Sequence, residues 1–217
     1  LDLTDEDSVA AAAVAIDRLA LPLRLVIHAA GTLDQEGCRV EKTWRQIDPL
    51  ARQRALAIHS IGPALVVKHL LPRMARDGRS VFAALSARVG SIGDNRLGGW
   101  YSYRASKAAL NQLVRSAAVD LRRSHPQAVC VALHPGTVAT KLTAGHDTGR
   151  LEVQTPEEAA GRMLEVLARL DAGQTGRFVD HRGDWLSQVR TWLSTAIYPL
   201  QVAINSPAAG LHWMQDN

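Results

Sequence analysis

Residues 23–31 read Leu-Arg-Leu-Val-Ile-His-Ala-Ala-Gly, and this stretch establishes the kind of fold that the chain adopts. An apolar run from Leu23 to Ala30 that stops at Gly31 indicates a buried strand followed by a tight turn. Three further strands are predicted over residues 79–85, 128–133 and 177–180. The third strand of the chain is stopped by His134-Pro135-Gly136.

Helical patterns separate these strands. The fourth helix has the clearest start, because Thr155-Pro156-Glu157-Glu158 supplies a cap residue, a proline in the first turn and a glutamate three residues after the cap. It extends to about Leu170. The other helices are predicted over residues 8–20, 51–74 and 103–124, and Pro63 is expected to kink the second of them.

Strands that alternate with helices of more than ten residues predict an α/β fold, a doubly wound parallel sheet with helices on both faces. In such sheets the active site lies beyond the carboxyl ends of the strands. The turns at Ala30-Gly31, residues 86–90 and Pro135-Gly136 follow those ends. We therefore expect these three turns to converge on one crevice.

The composition narrows the class of protein. The chain has 217 residues and a net charge of +4, but its basic residues are scattered, so no nucleic-acid partner is expected. Cys130 lies in an apolar run and Cys38 in a polar loop, and neither has metal-ligand spacing, so no metal is expected. No stretch reaches 18 apolar residues, which predicts no membrane span. A cytoplasmic location is the default expectation.

The candidate chemistry begins at Tyr103-Arg-Ala-Ser-Lys107, where the third helix starts. Residues four apart share one helix face, with Cβ atoms about 5–6 Å apart. A free tyrosine has a pKa near 10, and a nearby ammonium lowers it. Tyr103 and Lys107 therefore suit proton transfer to or from an alcohol or carbonyl oxygen, although the same spacing also occurs by chance on exposed helices.

In this order the motifs resemble the short-chain dehydrogenase/reductase family, in its carbonyl-reductase-like and C-factor-like branch. Asp2-Leu3-Thr4 matches an Asp-x-Thr after a strand, and residues 28–31 stand where the family has Asn-Asn-Ala-Gly. A serine loop precedes Tyr-x-x-x-Lys, and residues 135–140 match Pro-Gly-x-x-x-Thr. The resemblance covers a Rossmann-like domain over residues 1–183 and leaves residues 184–217 as a C-terminal extension.

The resemblance implies an NAD- or NADP-dependent oxidoreductase that interconverts a small carbonyl compound and its alcohol by hydride transfer. Tyr103 would be the acid/base, and Lys107 would bind the nicotinamide ribose and lower the pKa of Tyr103. The other cofactor-binding positions would be Asp2 at the adenine, Ala30 and Gly31 at the adenosine side, and Pro135, Gly136, Val138 and Thr140 at the nicotinamide end. The family also implies a homodimer or homotetramer, packed through the helices over residues 51–74 and 103–124.

One departure from the family concerns the cofactor. The glycine-rich phosphate loop, which in this family precedes the position of Asp2, is absent, so the domain reads as N-terminally incomplete. Either the sequence is a fragment, or the protein is a truncated relative that does not bind dinucleotide in the usual way. In the second case a non-catalytic binding or signalling protein is the alternative function. The residue that separates NAD from NADP lies in the absent portion.

Two further departures concern the reaction. Counting back from Gly90, Ala87 occupies the position of the family's catalytic serine, which leaves the preceding Ser86 as the candidate and Ser91 as another hydroxyl nearby. Ser86 as a simple turn cap is equally open. His59 occupies the position of the helix asparagine that supports a proton-relay water, and it serves either that role or the role of a satisfied core histidine.

Overall fold

The computed structural model describes residues 1–33, 40–143 and 152–188. Within these ranges four strands form a parallel sheet in the order β1-β2-β3-β6, and two short strands pair in parallel beside it. The strands are β1 (Leu25–His28), β2 (Ser80–Leu85), β3 (Ala128–His134), β4 (Thr137–Val138), β5 (Val153–Gln154) and β6 (Phe178–Asp180). The expected parallel α/β architecture is confirmed. Cys38, most of the expected extension over residues 184–217 and part of the 140–155 loop lie outside the described residues.

Each predicted helix is present with slightly different bounds. The helices are α1 (Glu6–Asp17), α2 (Pro49–Leu56), α3 (Gly62–Leu70), α4 (Tyr101–Ser124) and α5 (Pro156–Arg169). The reciprocal cap at α5 is confirmed, because Thr155 Oγ1 accepts the Glu158 N–H at 3.2 Å and the Glu158 carboxylate accepts the Thr155 N–H at 2.9 Å. Asp48 caps α2 by accepting the Ala51 N–H at 2.7 Å.

One wide turn joins α2 to α3. Residues Ala57–Ile61 form a π-helical turn, and the helix then continues directly into α3. Pro63 has no N–H to donate and occupies the second position of α3, immediately after this turn. The expectation that Pro63 kinks a regular α-helix is therefore replaced by a local widening of the helix.

The helices bury both faces of the sheet. Phe82 and Cys130 face the side covered by α3 and α4, where Leu110 and Val114 pack against them. Val129 and Val131 face α5. Phe82 and Leu110 are both almost completely buried, and burial of each such side chain contributes roughly 1.5–3 kcal/mol. Burial raises the pKa of the Cys130 thiol to about 12, so this cysteine packs as an apolar residue.

The helix from Pro49 to Arg73 is 25 residues long, and by length and composition alone it meets the requirements for a membrane span. This finding corrects the expectation that no segment of the chain does so. Core helices of water-soluble proteins meet the same requirements. In this fold 28% of the most apolar 18-residue window of the helix is buried, and the Arg73 guanidinium pairs with Asp17 at 2.9 Å.

Because the sheet is parallel, the carboxyl ends of its strands share one edge. The strands β1 and β2 pair in register, so that His28 lies beside Ala84, and Leu133 of β3 lies beside Leu85. The Lys107 ammonium donates to the Leu85 carbonyl at 3.0 Å and so ties α4 to this edge. The first two of the three expected turns therefore lie beside α4.

Candidate active site

The start of α4 is held by a side chain from a distant segment. Trp100, the residue before the helix, has a left-handed backbone with φ of 51° and no side-chain cap of its own. Glu41 supplies the cap, because its carboxylate accepts the Ser102 N–H at 3.2 Å and the Ser102 hydroxyl. Its carbonyl also accepts the Trp100 N–H at 2.5 Å. These bonds position Tyr103, which is the next residue along the helix.

Sequence reasoning missed Glu41, which lies in a stretch that reads as polar and irregular. In the structure this carboxylate side chain is only 4% exposed. The sequence offers one indication of such a cap: α4 begins after a tryptophan and not after a good cap residue, so its capping group has to come from another segment.

Tyr103 and Lys107 share a face of α4, as their spacing predicts. The Lys107 Nζ atom lies 5.7 Å from the centroid of the Tyr103 ring. His59 and Trp100 present edges to the same ring, with centroid distances of 5.2 Å and 6.1 Å. Lys107 is buried with 4% exposure. The alternative interpretation, in which the Tyr-x-x-x-Lys spacing occurs by chance on an exposed helix, is therefore wrong.

The protonation of this pair differs from the sequence expectation. Burial raises the pKa of Tyr103 to about 12 and lowers the pKa of Lys107 to about 8. Desolvation disfavours the charged form of each group and outweighs the attraction of the ammonium for a phenolate. The expectation that Lys107 holds the pKa of Tyr103 down is therefore wrong for the protein by itself.

His59 is a satisfied core histidine. Its Nε2 atom accepts the Thr32 N–H at 3.0 Å, so the ring proton resides on Nδ1. That Nδ1–H donates to Ser106 Oγ at 3.1 Å, and the Ser106 hydroxyl donates to the Tyr103 carbonyl at 2.9 Å. Burial lowers the pKa of His59 to about 3, which keeps the ring neutral.

The turn after β1 approaches this group closely. A side chain at Gly31 would bring its Cβ within 3.6 Å of His59 Nε2 and 3.9 Å of Lys107 Nζ. Ala30 lies directly before it. His28, at the end of β1, is 6% exposed, and its Nε2 atom is a buried nitrogen without a hydrogen-bond partner. Burial lowers the pKa of His28 to about 4.

Ser86 is oriented toward α4. Its hydroxyl donates to Asn111 Oδ1 at 2.6 Å, one helical turn beyond Lys107, and its N–H donates to the Leu133 carbonyl. Ala87 precedes a short 3₁₀ turn over Arg88–Gly90. The structure thus brings Ser86 to Asn111 and not to Tyr103, and a catalytic role for Ser86 stays a prediction.

The remaining cofactor-binding candidates lie at three places. Pro135 and Gly136 form the turn after β3, and Gly136 has a left-handed φ of 82°. Val138 lies in β4, where its carbonyl accepts the Thr143 hydroxyl at 2.5 Å. The Thr140 N–H donates to the same hydroxyl oxygen at 3.1 Å. These residues extend the carboxyl edge of the sheet.

Asp2 lies at the exposed start of the chain. Its carboxylate accepts the Thr4 N–H at 2.8 Å and the Thr4 hydroxyl at 2.7 Å, and these bonds lower its pKa. The motif Asp-x-Thr therefore forms a local turn. Its contact with adenine stays a prediction.

A small, open cleft lies beside Tyr103. Loop, α2 and α4 residues contribute to its walls. The described lining residues are Thr32, Leu33, Val40, Glu41, Ala51, Arg54, Ala55, His59, Ser102 and Tyr103. Sequence reasoning named His59 and Tyr103 from this set and missed the α2 residues.

Within the described ranges no group of three or more histidine, cysteine, aspartate or glutamate side chains is arranged to hold a metal ion. Asp180, His181 and Asp184, which resemble a loose ligand set in the sequence, form a turn. The Asp180 carboxylate accepts the N–H groups of Arg182 and Asp184 at 2.9 Å and 3.0 Å.

Comparisons with known proteins indicate the family of the chain. A family model described as enoyl-(acyl carrier protein) reductase matches residues 1–167. The chain is 34% identical over 188 residues to 1-hydroxy-2-glutathionyl-2-methyl-3-butene dehydrogenase of Rhodococcus sp. (strain AD45), and the match covers 86% of this chain and 77% of that protein. It is 37% identical over 138 residues to the C-signal protein of Myxococcus xanthus, and that match covers 63% of this chain and 78% of that one.

A solved structure has a similar fold. The NADPH-bound carbonyl reductase from chicken fatty liver superimposes with a TM-score of 0.74 at 31% identity. The superposition covers 86% of this chain and 75% of the reductase.

Proposed function

Since the chain belongs to the short-chain dehydrogenase/reductase family of oxidoreductases, we propose that it interconverts a small carbonyl compound and its alcohol with a nicotinamide cofactor. One observation carries this proposal. The phenol ring of Tyr103 lies beside Lys107 and forms part of the wall of a cleft. A tyrosine so placed can exchange a proton with a substrate oxygen.

The residues at the carboxyl edge fit such a cofactor. The Gly31 backbone lies beside His59 and Lys107, since a Cβ there would be in ordinary contact with both side chains. The bond to Leu85 uses one of the three N–H groups of the Lys107 ammonium, and ribose hydroxyls are suitable acceptors for another. The NADPH carried by the chicken reductase makes NADP the first cofactor to test.

When bound, the nicotinamide supplies the hydride that reduces the carbonyl carbon. Tyr103 then donates its proton to the carbonyl oxygen, which becomes the alcohol hydroxyl. With a pKa of about 12, Tyr103 holds this proton throughout the physiological range. The Lys107 ammonium, 5.7 Å from the centroid of the ring, stabilises the phenolate that remains.

The test is the replacement Tyr103→Phe. We expect it to lower the rate of carbonyl reduction by about 10²–10⁴-fold, the range that a general acid contributes. The rate is measured as the loss of reduced nicotinamide absorbance with NADPH or NADH and a panel of small ketones and aldehydes. Tyr101→Phe, two residues earlier on the same helix, is the matched control and should retain the wild-type rate.

Full activity in Tyr103→Phe would contradict the proposal, provided that circular dichroism shows both variants to be folded. A chain that quenches no reduced-nicotinamide fluorescence at micromolar concentrations would contradict it as well.

The second candidate is a binding or signalling protein without turnover. The observation that favours it is Ala87, which stands where the family has its catalytic serine. Cofactor binding without reduction of any carbonyl in the panel would favour this candidate over the enzyme.

A further inference from the structure

We propose that Gln154 is a positioning residue, which fixes the turn of Pro135 and Gly136 and so sets how tightly the chain holds the nicotinamide end of its cofactor. The inference rests on the proposed function, because it names a residue that acts on the cofactor of the same site. No motif in the sequence singles out Gln154, and its role follows from its contacts.

Gln154 holds both ends of one short segment, residues 135–139. Its side-chain Nε2 donates to the Pro135 carbonyl at 3.2 Å, at the start of the segment. Its main-chain carbonyl accepts the Ala139 N–H at 2.9 Å, at the other end. Between these two bonds, Gln154 is the register partner of Val138 in the parallel pairing of β4 with β5. A single residue therefore determines where this segment lies.

Gly136 packs directly against the same side chain. A Cβ at Gly136 would overlap the Gln154 amide and would lie 3.0 Å from His181 Nδ1. The left-handed φ of 82° is a second reason for glycine at this position. Because the Gly136 backbone touches the amide, a change in the Gln154 side chain moves the turn.

The burial of Gln154 shows that packing alone does not explain a glutamine here. Gln154 is only 2% exposed, and its amide oxygen Oε1 is buried without a hydrogen-bond partner in the described part of the chain. A buried polar atom without a partner lowers stability, so an apolar residue of similar length would pack at a lower cost. The bond to Pro135 is the contact that distinguishes glutamine from such a residue.

The start of α5 fixes Gln154 itself. Thr155, the next residue, is the cap of this helix and exchanges two hydrogen bonds with Glu158. The buried face of α5 packs against the sheet. The turn is thus positioned by a helix that belongs to the core, and so are Val138 and Thr140, the residues expected at the nicotinamide end of the cofactor.

The experiment compares a complete dinucleotide with a fragment that lacks nicotinamide. The ligands are NADP⁺ and 2′-phospho-ADP-ribose, with NAD⁺ and ADP-ribose as a second pair, and calorimetric titration gives the Kd of each. Gln154→Met removes the donor and keeps the length of the side chain. It should raise the ratio of the dinucleotide Kd to the fragment Kd by about 2- to 10-fold, the change expected for one hydrogen bond. Gln112→Met replaces an exposed glutamine of α4 and is the matched control, which should leave the ratio unchanged.

Hydrogen exchange of the chain without ligand tests the positioning itself. In Gln154→Met the Ala139 amide should exchange about 2- to 10-fold faster than in the wild type, because the turn and the β4–β5 pair open more often. The Ala132 amide in β3, which donates to the Arg177 carbonyl, should exchange at the wild-type rate. Gln154→Leu also lacks the donor and is the second variant if the methionine variant does not fold.

The outcomes separate this inference from the proposed function. If Gln154→Met changes both the exchange rate and the Kd ratio but the wild type reduces no ketone, the proposed reaction fails and the inference stands. Equal weakening of the dinucleotide and the fragment, or an unchanged exchange rate at Ala139, would overturn the inference. A wild-type chain that binds neither ligand would overturn the inference and the proposed cofactor together.

Discussion

The Ser86 hydroxyl donates its proton to Asn111 Oδ1 at 2.6 Å and does not offer it to a substrate oxygen beside Tyr103. Ala87 follows it in the chain and begins the turn that leads to Gly90. Introducing a hydroxyl by Ala87→Ser should add a donor for the substrate oxygen. Loss of one such donor in an oxyanion hole costs about 10²–10³-fold in rate, so we expect a gain on the order of 10-fold or more in kcat.

The comparison for Ala87→Ser is Ser86→Ala, measured in the same reduction assay and by urea unfolding. This change leaves the Asn111 oxygen without its donor, which should lower the free energy of unfolding by about 1–3 kcal/mol and leave kcat nearly constant. A Ser86→Ala enzyme that is as stable as wild type but reduces ketones at a hundredth of the rate would show that Ser86 itself is the catalytic serine.

At the same scale, the sequence identified Tyr103 and Lys107 as the candidate pair but did not predict their protonation. The spacing of Tyr103 and Lys107 fixes their common helix face, and this part was predictable. Their pKa values depend on burial by residues far away in the chain, and no local pattern reports that. The cap from Glu41 escaped prediction for the same reason, because it joins segments 61 residues apart.

At the scale of elements, the turn after β2 is tightly packed against α4. A Cβ at Gly90 would lie 2.8 Å from the Lys107 Cβ and 2.9 Å from the Lys107 carbonyl carbon. Gly90→Ala should therefore push the turn and α4 apart. We expect a loss of at least about 1–3 kcal/mol in the free energy of unfolding, the cost of overpacking, and a lower kcat because Lys107 is displaced.

Gly161, in the middle of α5, provides the matched control for Gly90→Ala. A Cβ built there meets no atom within 4 Å, so Gly161→Ala should raise the free energy of unfolding by about 1 kcal/mol through helix propensity. Urea unfolding measures both variants. Equal stability of the two would mean that the contact between the β2 turn and α4 does not constrain the site.

The elements that the sequence predicted well are those with strong local signals. The buried runs of β2 and β3 and the Thr155 cap of α5 are examples, since burial on both faces and capping geometry are encoded in adjacent residues. The two-residue strands β4 and β5 were missed, because they exist only through their pairing with each other. The π-helical turn between α2 and α3 was predicted as a kink at Pro63, because adjacent residues carry no local signal of the wider turn.

At the scale of the whole molecule, three histidines with lowered pKa values make the fold sensitive to acid. Burial lowers the pKa of His28 to about 4, of His59 to about 3 and of His134 to about 4. Unfolded histidine has a pKa near 6.5, so below that pH the unfolded chain binds protons that the folded chain does not. These histidines do not change the free energy of unfolding above about pH 6.5. They lower it as the pH falls from about 6.5 toward their pKa values in the folded protein.

The expected size of this effect is large. His59 alone should lower the free energy of unfolding by about 2 kcal/mol between pH 6.5 and pH 5, at 1.36 kcal/mol for each pKa unit. The other two histidines add to this loss. The total free energy of unfolding of a domain is only about 5–15 kcal/mol. Urea unfolding at a series of pH values measures it, and His59→Asn should flatten the curve because asparagine does not titrate. An unfolding midpoint that stays constant from pH 7.5 to pH 5 would contradict the prediction.

The π-helical turn over Ala57–Ile61 has a consequence for how the pocket tolerates changes of chain length. Such a turn holds one residue more than an α-helical turn, and one residue rotates the helix beyond it by about 100°. Ala51 and Ala55 of α2 line the cleft and Val66 of α3 is buried in the core, so the extra residue sets the rotation of one helix relative to the other. Deleting any single residue of the turn would swing Arg54 away from Tyr103 with no change in either side chain, so the length of this turn sets the shape of the pocket independently of its composition.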